Sequence, residues 1–208
     1  MRNLYTELAE YTKRPQTLVE ARCIHASVEL AWQFEKNKHD PIKYYRESDL
    51  YIFALTRYQM ELRVNGIHGW YQQVIKEYKW KIGLDFGGGI GEETILASEC
   101  GVDMTFIEVR NSKTMKYALW RFNKHKTRPL VYDEDYLITQ QFDFVVAMDV
   151  FEHLENPQPV IEMIAKHTKY LFCNPGQVKY NWLYPQHVSL FSLEPYFKKV
   201  DLYLYKRR

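Results

Sequence analysis

The sequence predicts an α/β fold: a doubly wound, mostly parallel sheet with helices on both faces and an N-terminal helical extension. Three observations carry this. Beyond about residue 80, short apolar runs alternate with segments of helical periodicity, and short links between them imply parallel strands joined by right-handed crossovers. The first apolar run ends in a cluster of glycines, Ile82 to Gly91 reading IGLDFGGGIG. Before residue 80 there are few strand signals, and no glycine until Gly66.

In the N-terminal part, Leu18, Val19, Ala21, Ile24, Val28 and Ala31 recur at helical spacing. Pro15 suits a helix start, so a helix from about Pro15 to Lys36 is expected. Asn37 to Pro41 reads as a break. Leu50, Phe53, Ala54, Tyr58 and Leu62 predict a second helix to about Val64, ended by Asn65-Gly66 and Gly69. A short helix over Tyr71 to Tyr78 leads into the first strand. The division expected is 1–79 as a helical cap and 80–208 as a ligand-binding domain.

In that second part the predicted strands are Lys81–Phe86, Asp103–Val109, Leu130–Asp133, Asp143–Val150 and Tyr170–Asn174. The helices between them are Gly91–Cys100, Ser112–Lys124 and Pro159–His167. Residues 200 to 205, VDLYLY, alternate as one last strand would.

The 208 residues carry a net charge of +2, which sets up no field that marks a nucleic-acid binder. No apolar run approaches the about 18 residues of a membrane span. Cys23, Cys100 and Cys173 form no metal or redox pattern, and are read as reduced thiols of a cytoplasmic protein. The many Tyr and Trp residues fit packing better than an aromatic substrate cleft. The basic run Arg121, Lys124, His125, Lys126 and Arg128 is read as charge complementing the end of its own helix.

A strand turning into a helix over bare backbone brings a nucleotide-like ligand onto main-chain N–H groups. A dinucleotide fingerprint would need a further glycine at position 92, which is Glu92. Asp85, Gly87, Gly88, Gly89 and Gly91 instead form a G-x-G-x-G turn with an acid two residues before it. This resembles the first motif of the class I S-adenosylmethionine-dependent methyltransferases, over about residues 80 to 208. The resemblance implies a Rossmann-like sheet and S-adenosylmethionine as cofactor. It also implies that Glu108, at the end of the second strand, accepts the ribose hydroxyls. A carboxylate can do so because it is acceptor-only, with two oxygens. Asp133, then Asp135, is implied beside the adenine, and Met148 and Asp149 at the methionine end. The family's sheet usually closes with two strands after the fifth, of which only one is legible here.

Residues 142 to 157, FDFVVAMDVFEHLENP, resemble the strand-four segment of a branch that includes ubiquinone-type O-methyltransferases. Asp149, Glu152 and His153 share a turn, and His187 follows strand five. A similar acid-and-histidine set binds Mg²⁺ in small-RNA 2′-O-methyltransferases, with Glu at the position of Asp149. Three readings stay open. Asp149, Glu152, His153 and His187 hold a divalent ion. Alternatively, His153 or His187 is a general base oriented by Glu152. Finally, Glu152 caps a helix and His153 packs.

The function expected is methyl transfer to a small-molecule acceptor, at oxygen. The rivals are a non-catalytic S-adenosylmethionine-binding module and an NAD-dependent oxidoreductase. Nucleic acid is not the expected partner, since only Arg121–Arg128 and Lys206–Arg208 are basic stretches. Trp70, Tyr71, Tyr180, Trp182 and Tyr184 are further pocket candidates, with Asn174 to Gln177 as another wall.

Overall fold

The computed structural model describes residues 2–25, 41–174 and 187–208. Five helices come first: α1 (Leu4–Thr12), α2 (Gln16–His25), α3 (Pro41–Glu47), α4 (Tyr51–Val64) and α5 (Ile67–Tyr78). The alternating part follows, with β1 (Ile82–Phe86), α6 (Glu92–Glu99), β2 (Asp103–Ile107), α7 (Lys113–His125), β3 (Leu130–Tyr132) and β4 (Phe142–Ala147). A 3-10 turn (Phe151–His153) leads to α8 (Pro157–His167), β5 (Thr168–Cys173), β6 (Phe197–Lys199) and β7 (Leu204–Arg207).

Local chemistry accounts for several ends. Asn3 caps α1 by accepting the N–H groups of Tyr5 and Thr6, and Ser112 caps α7 by accepting that of Met115. Pro157 opens α8, where its missing N–H costs nothing. Two helices went unread in the sequence, α1 and α3. Gly69 lies inside α5 rather than ending α4. The far end of the helix expected over Pro15–Lys36 lies outside the described residues, as do Pro175 to Gln177, Tyr180, Trp182 and Tyr184.

The sheet has seven strands in the order β3-β2-β1-β4-β5-β7-β6. It is an α/β, doubly wound, Rossmann-like sheet. The first five strands are parallel, and β7 pairs antiparallel with β5 and with β6. The chain therefore closes with two strands, not the single one expected. β6 is only Phe-Lys-Lys with one buried residue, too short to show alternation. The expected last strand overlaps the turn: Val200 and Leu202 are exposed, and the pairing is carried by Leu204–Arg207.

Both faces of the sheet are covered, so its central strands read as nearly continuous apolar runs. Along β4, Val145 and Ala147 face Ile161, Ile164 and Leu171, while Phe144 and Val146 face Tyr71, Ile75 and Trp80. Trp80 stacks on Phe144 at 4.9 Å between ring centroids, and Tyr71 and Trp70 meet Phe172 edge-on. Trp70 and Tyr71 are thus engaged in packing. Asp143 accepts the N–H groups of Lys81 and Ile82 at 2.7 and 3.0 Å, fixing β1 against β4 at the end away from the glycine turn.

A buried ion network joins the N-terminal helices to this sheet. Arg121 of α7 is fully buried. It donates to Glu7 of α1 at 2.8 Å, to the carbonyl of Ile90 at 2.7 Å, and to Glu92. Glu92 also meets Arg63 of α4 and Arg2. His125 lies 3.0 Å from Glu7, and Lys124 pairs with Glu10. Of the basic run, Lys124 and His125 do lie in the last turn of α7, and with Arg121 they also meet Glu7 and Glu10 of α1. Burial alone would raise the Glu92 pKa, but Arg121, Arg2 and Arg63 outweigh it and hold the carboxyl at about 2.

Removing one member of such a network leaves the others charged and buried. Arg121→Ala is expected to lower stability by about 3–5 kcal/mol in urea unfolding. A loss below about 1 kcal/mol, the level of an exposed pair, would show that the network does not hold the helices.

Candidate active site

The chain leaves β1 at Phe86 and folds back over three glycines with positive φ, Gly87 (69°), Gly89 (53°) and Gly91 (74°). The N–H groups of Gly87 and Gly88 donate to the carbonyl of Ile107 at the end of β2. Gly88 is required by what lies beneath it. A Cβ there would stand 2.5 Å from the Phe106 ring and 2.7 Å from the Asp85 carboxyl. Gly91 starts α6, and a Cβ there would stand 2.6 Å from Phe122, so its small size serves the packing of α6 on α7.

Asp85 and Glu108 flank the turn, both buried. Asp85 accepts the Thr94 hydroxyl at 2.7 Å. Burial, then the charge of Glu93, pushes its pKa well up. Glu108 accepts the N–H of Gly89 at 2.6 Å, that of Val109 at 3.0 Å and the Thr114 hydroxyl at 3.3 Å. Burial raises its pKa, and those N–H groups oppose the rise.

Asp85, Gly87, Gly88, Gly89, Glu108, Met148 and Asp149 line one cleft at the C-terminal strand ends, where open parallel sheets place ligands. Asp133 and Asp135 do not line it. Both bond Arg110 at 2.7 Å near the surface, so the acidic turn after β3 is committed to an arginine.

Helix α4 supplies the opposite wall through Tyr51, Leu55, Tyr58 and Gln59. The space left is about 60 Å³, well short of the roughly 300–1,000 Å³ of ordinary ligand pockets. Leu55 Cδ1 lies 3.2 Å from where a Cβ on Gly89 would be, and the Tyr58 hydroxyl bonds Asp149. A nucleoside at the turn therefore needs α4 to move outward. These α4 residues, and Glu93 at the start of α6, were not singled out in the sequence. The apolar stripe of α4 predicted its buried face but not that the face lies over the glycine turn.

Beside the end of β4 lies a second cluster. Ligand atoms of Glu152, His153 and His187 fall within 4.8 Å of one another, and the two imidazole centroids are 5.0 Å apart. The segment after β5 is pinned there by the N–H groups of Val188 and Ser189, which donate to the Glu152 carbonyl. Tyr45 of α3 meets His153 Nδ1 at 2.9 Å. Glu152 is buried, and its Oε1 has no hydrogen-bond partner among the described residues. Asp149, expected in the same set, stands outside it. It has a positive φ of 52° and accepts the Asn174 amide at 2.8 Å. Burial, with Asp149 adding its charge, pushes the Glu152 pKa up to about 8.

This is a cleft at the switch point of a doubly wound α/β protein, where such folds place their ligands. The chain belongs to the methyltransferase domain family, which matches residues 76–199. Membership places it in the methyltransferase class of enzymes, whose cofactor is S-adenosylmethionine. No curated protein matches the chain. Among solved structures it is similar to TehB from Haemophilus influenzae, with 24% identity and a TM-score of 0.46 over 51% of this chain and 40% of that one. A second is an S-adenosylmethionine-dependent methyltransferase from Clostridium acetobutylicum, with 14% identity and a TM-score of 0.46 over 51% and 48%. The methyltransferase domain of bacterial CtHen1-C shares 19% identity, with a TM-score of 0.44 over 51% and 62%. The chain thus spans about half the length, or less, of the first two proteins.

The Glu152 carboxyl holds its proton more tightly folded than unfolded. Its contribution to stability is complete below the ordinary carboxylate pKa and is lost as pH rises through about 8. Glu152→Gln should therefore gain in melting temperature over the parent at about pH 9 relative to about pH 6. An equal difference at both values would show that the folded Glu152 carboxyl is already ionised at about pH 6 and that burial does not raise its pKa.

Proposed function

We propose that this chain is an S-adenosylmethionine-dependent methyltransferase acting on a small molecule, at an oxygen atom. The observation that carries this is a cleft lined by the glycine turn, Glu108 and Asp149, with the Glu152–His153–His187 cluster following Asp149 on the segment after β4. Residues 1–79 act as a cap on the ligand domain of 80–208. The strand-four segment supports the ubiquinone-type branch, and the chain is read as a cytoplasmic enzyme. Among the described residues no helix is long and apolar enough to cross a membrane.

Gly87 to Gly89 would hold the cofactor's amino-acid end and Glu108 its ribose, while Met148 and Asp149 would lie toward the sulfur. When bound, the sulfonium supplies an electrophilic methyl group. The protein's part is to align the acceptor with it and exclude water. His153 and His187 stand where one of them can take the hydroxyl proton. Tyr45 meets His153 at Nδ1 and would orient its ring.

A divalent ion fits the same cluster. One carboxylate with an unpartnered buried oxygen and two imidazoles make a donor set for a cation of borderline hardness. When bound, such an ion lowers the pKa of an acceptor hydroxyl. The ligands would be Glu152, His153 and His187, with Asp149 held back by Asn174.

A second reading, a binding module without catalysis, draws on the narrow cleft under α4. The oxidoreductase reading is weaker, since Glu92 is committed to arginines where a dinucleotide turn needs glycine.

Titration calorimetry with S-adenosylmethionine and NAD separates these readings. Binding of the first alone is expected, and binding of NAD alone would overturn the proposal. Cofactor binding with no methyl transfer to any hydroxylated acceptor would favour the module. Glu108→Ala should weaken S-adenosylmethionine by about 1.5–3 kcal/mol, the worth of hydrogen bonds to a charged group. An unchanged dissociation constant would remove Glu108 as the ribose partner. For the ion, His187→Ala should abolish divalent-ion dependence and spare cofactor binding, whereas full parent activity in excess EDTA would exclude it.

A further inference from the structure

Two adjacent glutamates open α6, and their surroundings are opposite. Glu92 is met by Arg121, Arg63 and Arg2. Glu93 is also buried, yet among the described residues it has no ion-pair partner. The Gln59 amide of α4 donates to its carboxyl oxygens at 2.8 and 3.1 Å, and the Gln59 side chain is backed by His68 at 2.8 Å. Burial pushes its pKa up to about 7.

Glu93 lines the same cleft as Gly87, Gly88 and Gly89, and among the described residues no lysine or arginine lines that cleft. Its other carboxylates are already engaged. Asp85 lies beneath the turn on Thr94, Glu108 on backbone N–H groups, and Asp149 on Asn174 and Tyr58. A buried carboxylate facing a cavity without a cation is costly, and a cationic guest relieves that cost. The end of the cofactor that belongs beside a glycine turn carries an ammonium group.

Resting on the cofactor assignment above, we propose that Glu93 recognises the ammonium group of the cofactor's amino-acid end, making it a specificity residue of the cleft. Gln59 holds the carboxyl in place from α4. Outward movement of that helix would withdraw one neutral donor and free both oxygens for the three N–H donors of an ammonium ion.

The test compares S-adenosylhomocysteine with its analogue lacking the α-amino group, by titration calorimetry. The parent protein should prefer the amino compound by about tenfold or more, the worth of a charged hydrogen bond. In Glu93→Gln this preference should fall to within about threefold, through weaker binding of the amino compound alone. Equal weakening of both ligands would overturn the proposal by showing a structural role. So would a parent protein that does not distinguish them, a result that needs no folded variant. Failure of both ligands to bind the parent would instead strike the cofactor assignment itself. Glu93→Asp, which keeps the charge, should retain most of the preference, and its loss there with unchanged affinity for the desamino compound would place the ammonium within reach of the longer side chain only.

Discussion

Much of this structure depends on one guanidinium. Arg121 reaches from α7 to a carboxylate of α1, to the carbonyl of Ile90 in the glycine turn, and to Glu92 at the head of α6. A fully buried cation with that many acceptors leaves little freedom to the elements that supply them. The glycine turn is therefore braced from behind by the same side chain that fastens the first helix. The helical part is not an ornament on the sheet, since its first helix shares a buried charge network with the loop where chemistry is organised.

What could be read from residues alone follows from periodicity and spacing. Parallel strands buried on both faces, such as Phe142–Ala147, announce themselves as apolar runs, and the G-x-G-x-G pattern marks the only place where β1 can turn so tightly. Glu108 lines the cleft because the end of a strand beside the switch point has few other places to send a side chain. β6 escaped because three residues with one inward position carry no period. The partner of Arg121 escaped because Glu7 lies 114 positions away in sequence, and no local pattern reports a contact of that range. Only position at a strand end places Asp133 and Asp135 beside the adenine, and the sequence carries no sign that both bond Arg110.

The cleft is also unusual in its electrostatics. Asp85, Glu93, Glu108 and Asp149 converge on one small space that no basic side chain among the described residues lines. Natural interiors avoid such crowding unless protons or partners relieve it. Here N–H groups, a threonine, an asparagine and a tyrosine do part of that work. The contrast between Glu92 and Glu93, one surrounded by arginines and the other by an amide, shows how neighbouring positions on a helix can be assigned to folding and to the ligand cleft.

Tyr51, Leu55 and Tyr58 stand over the glycine turn, and the same helix carries Arg63 to the charge network. An inhabitant of the turn could arrive only while that helix stood aside, and its spent form could leave only by the same swing. Residence time on the protein would then be governed by how often α4 lifts from the sheet rather than by contacts within the cleft. A protein built this way would trade rapid exchange for a reaction chamber shut to solvent.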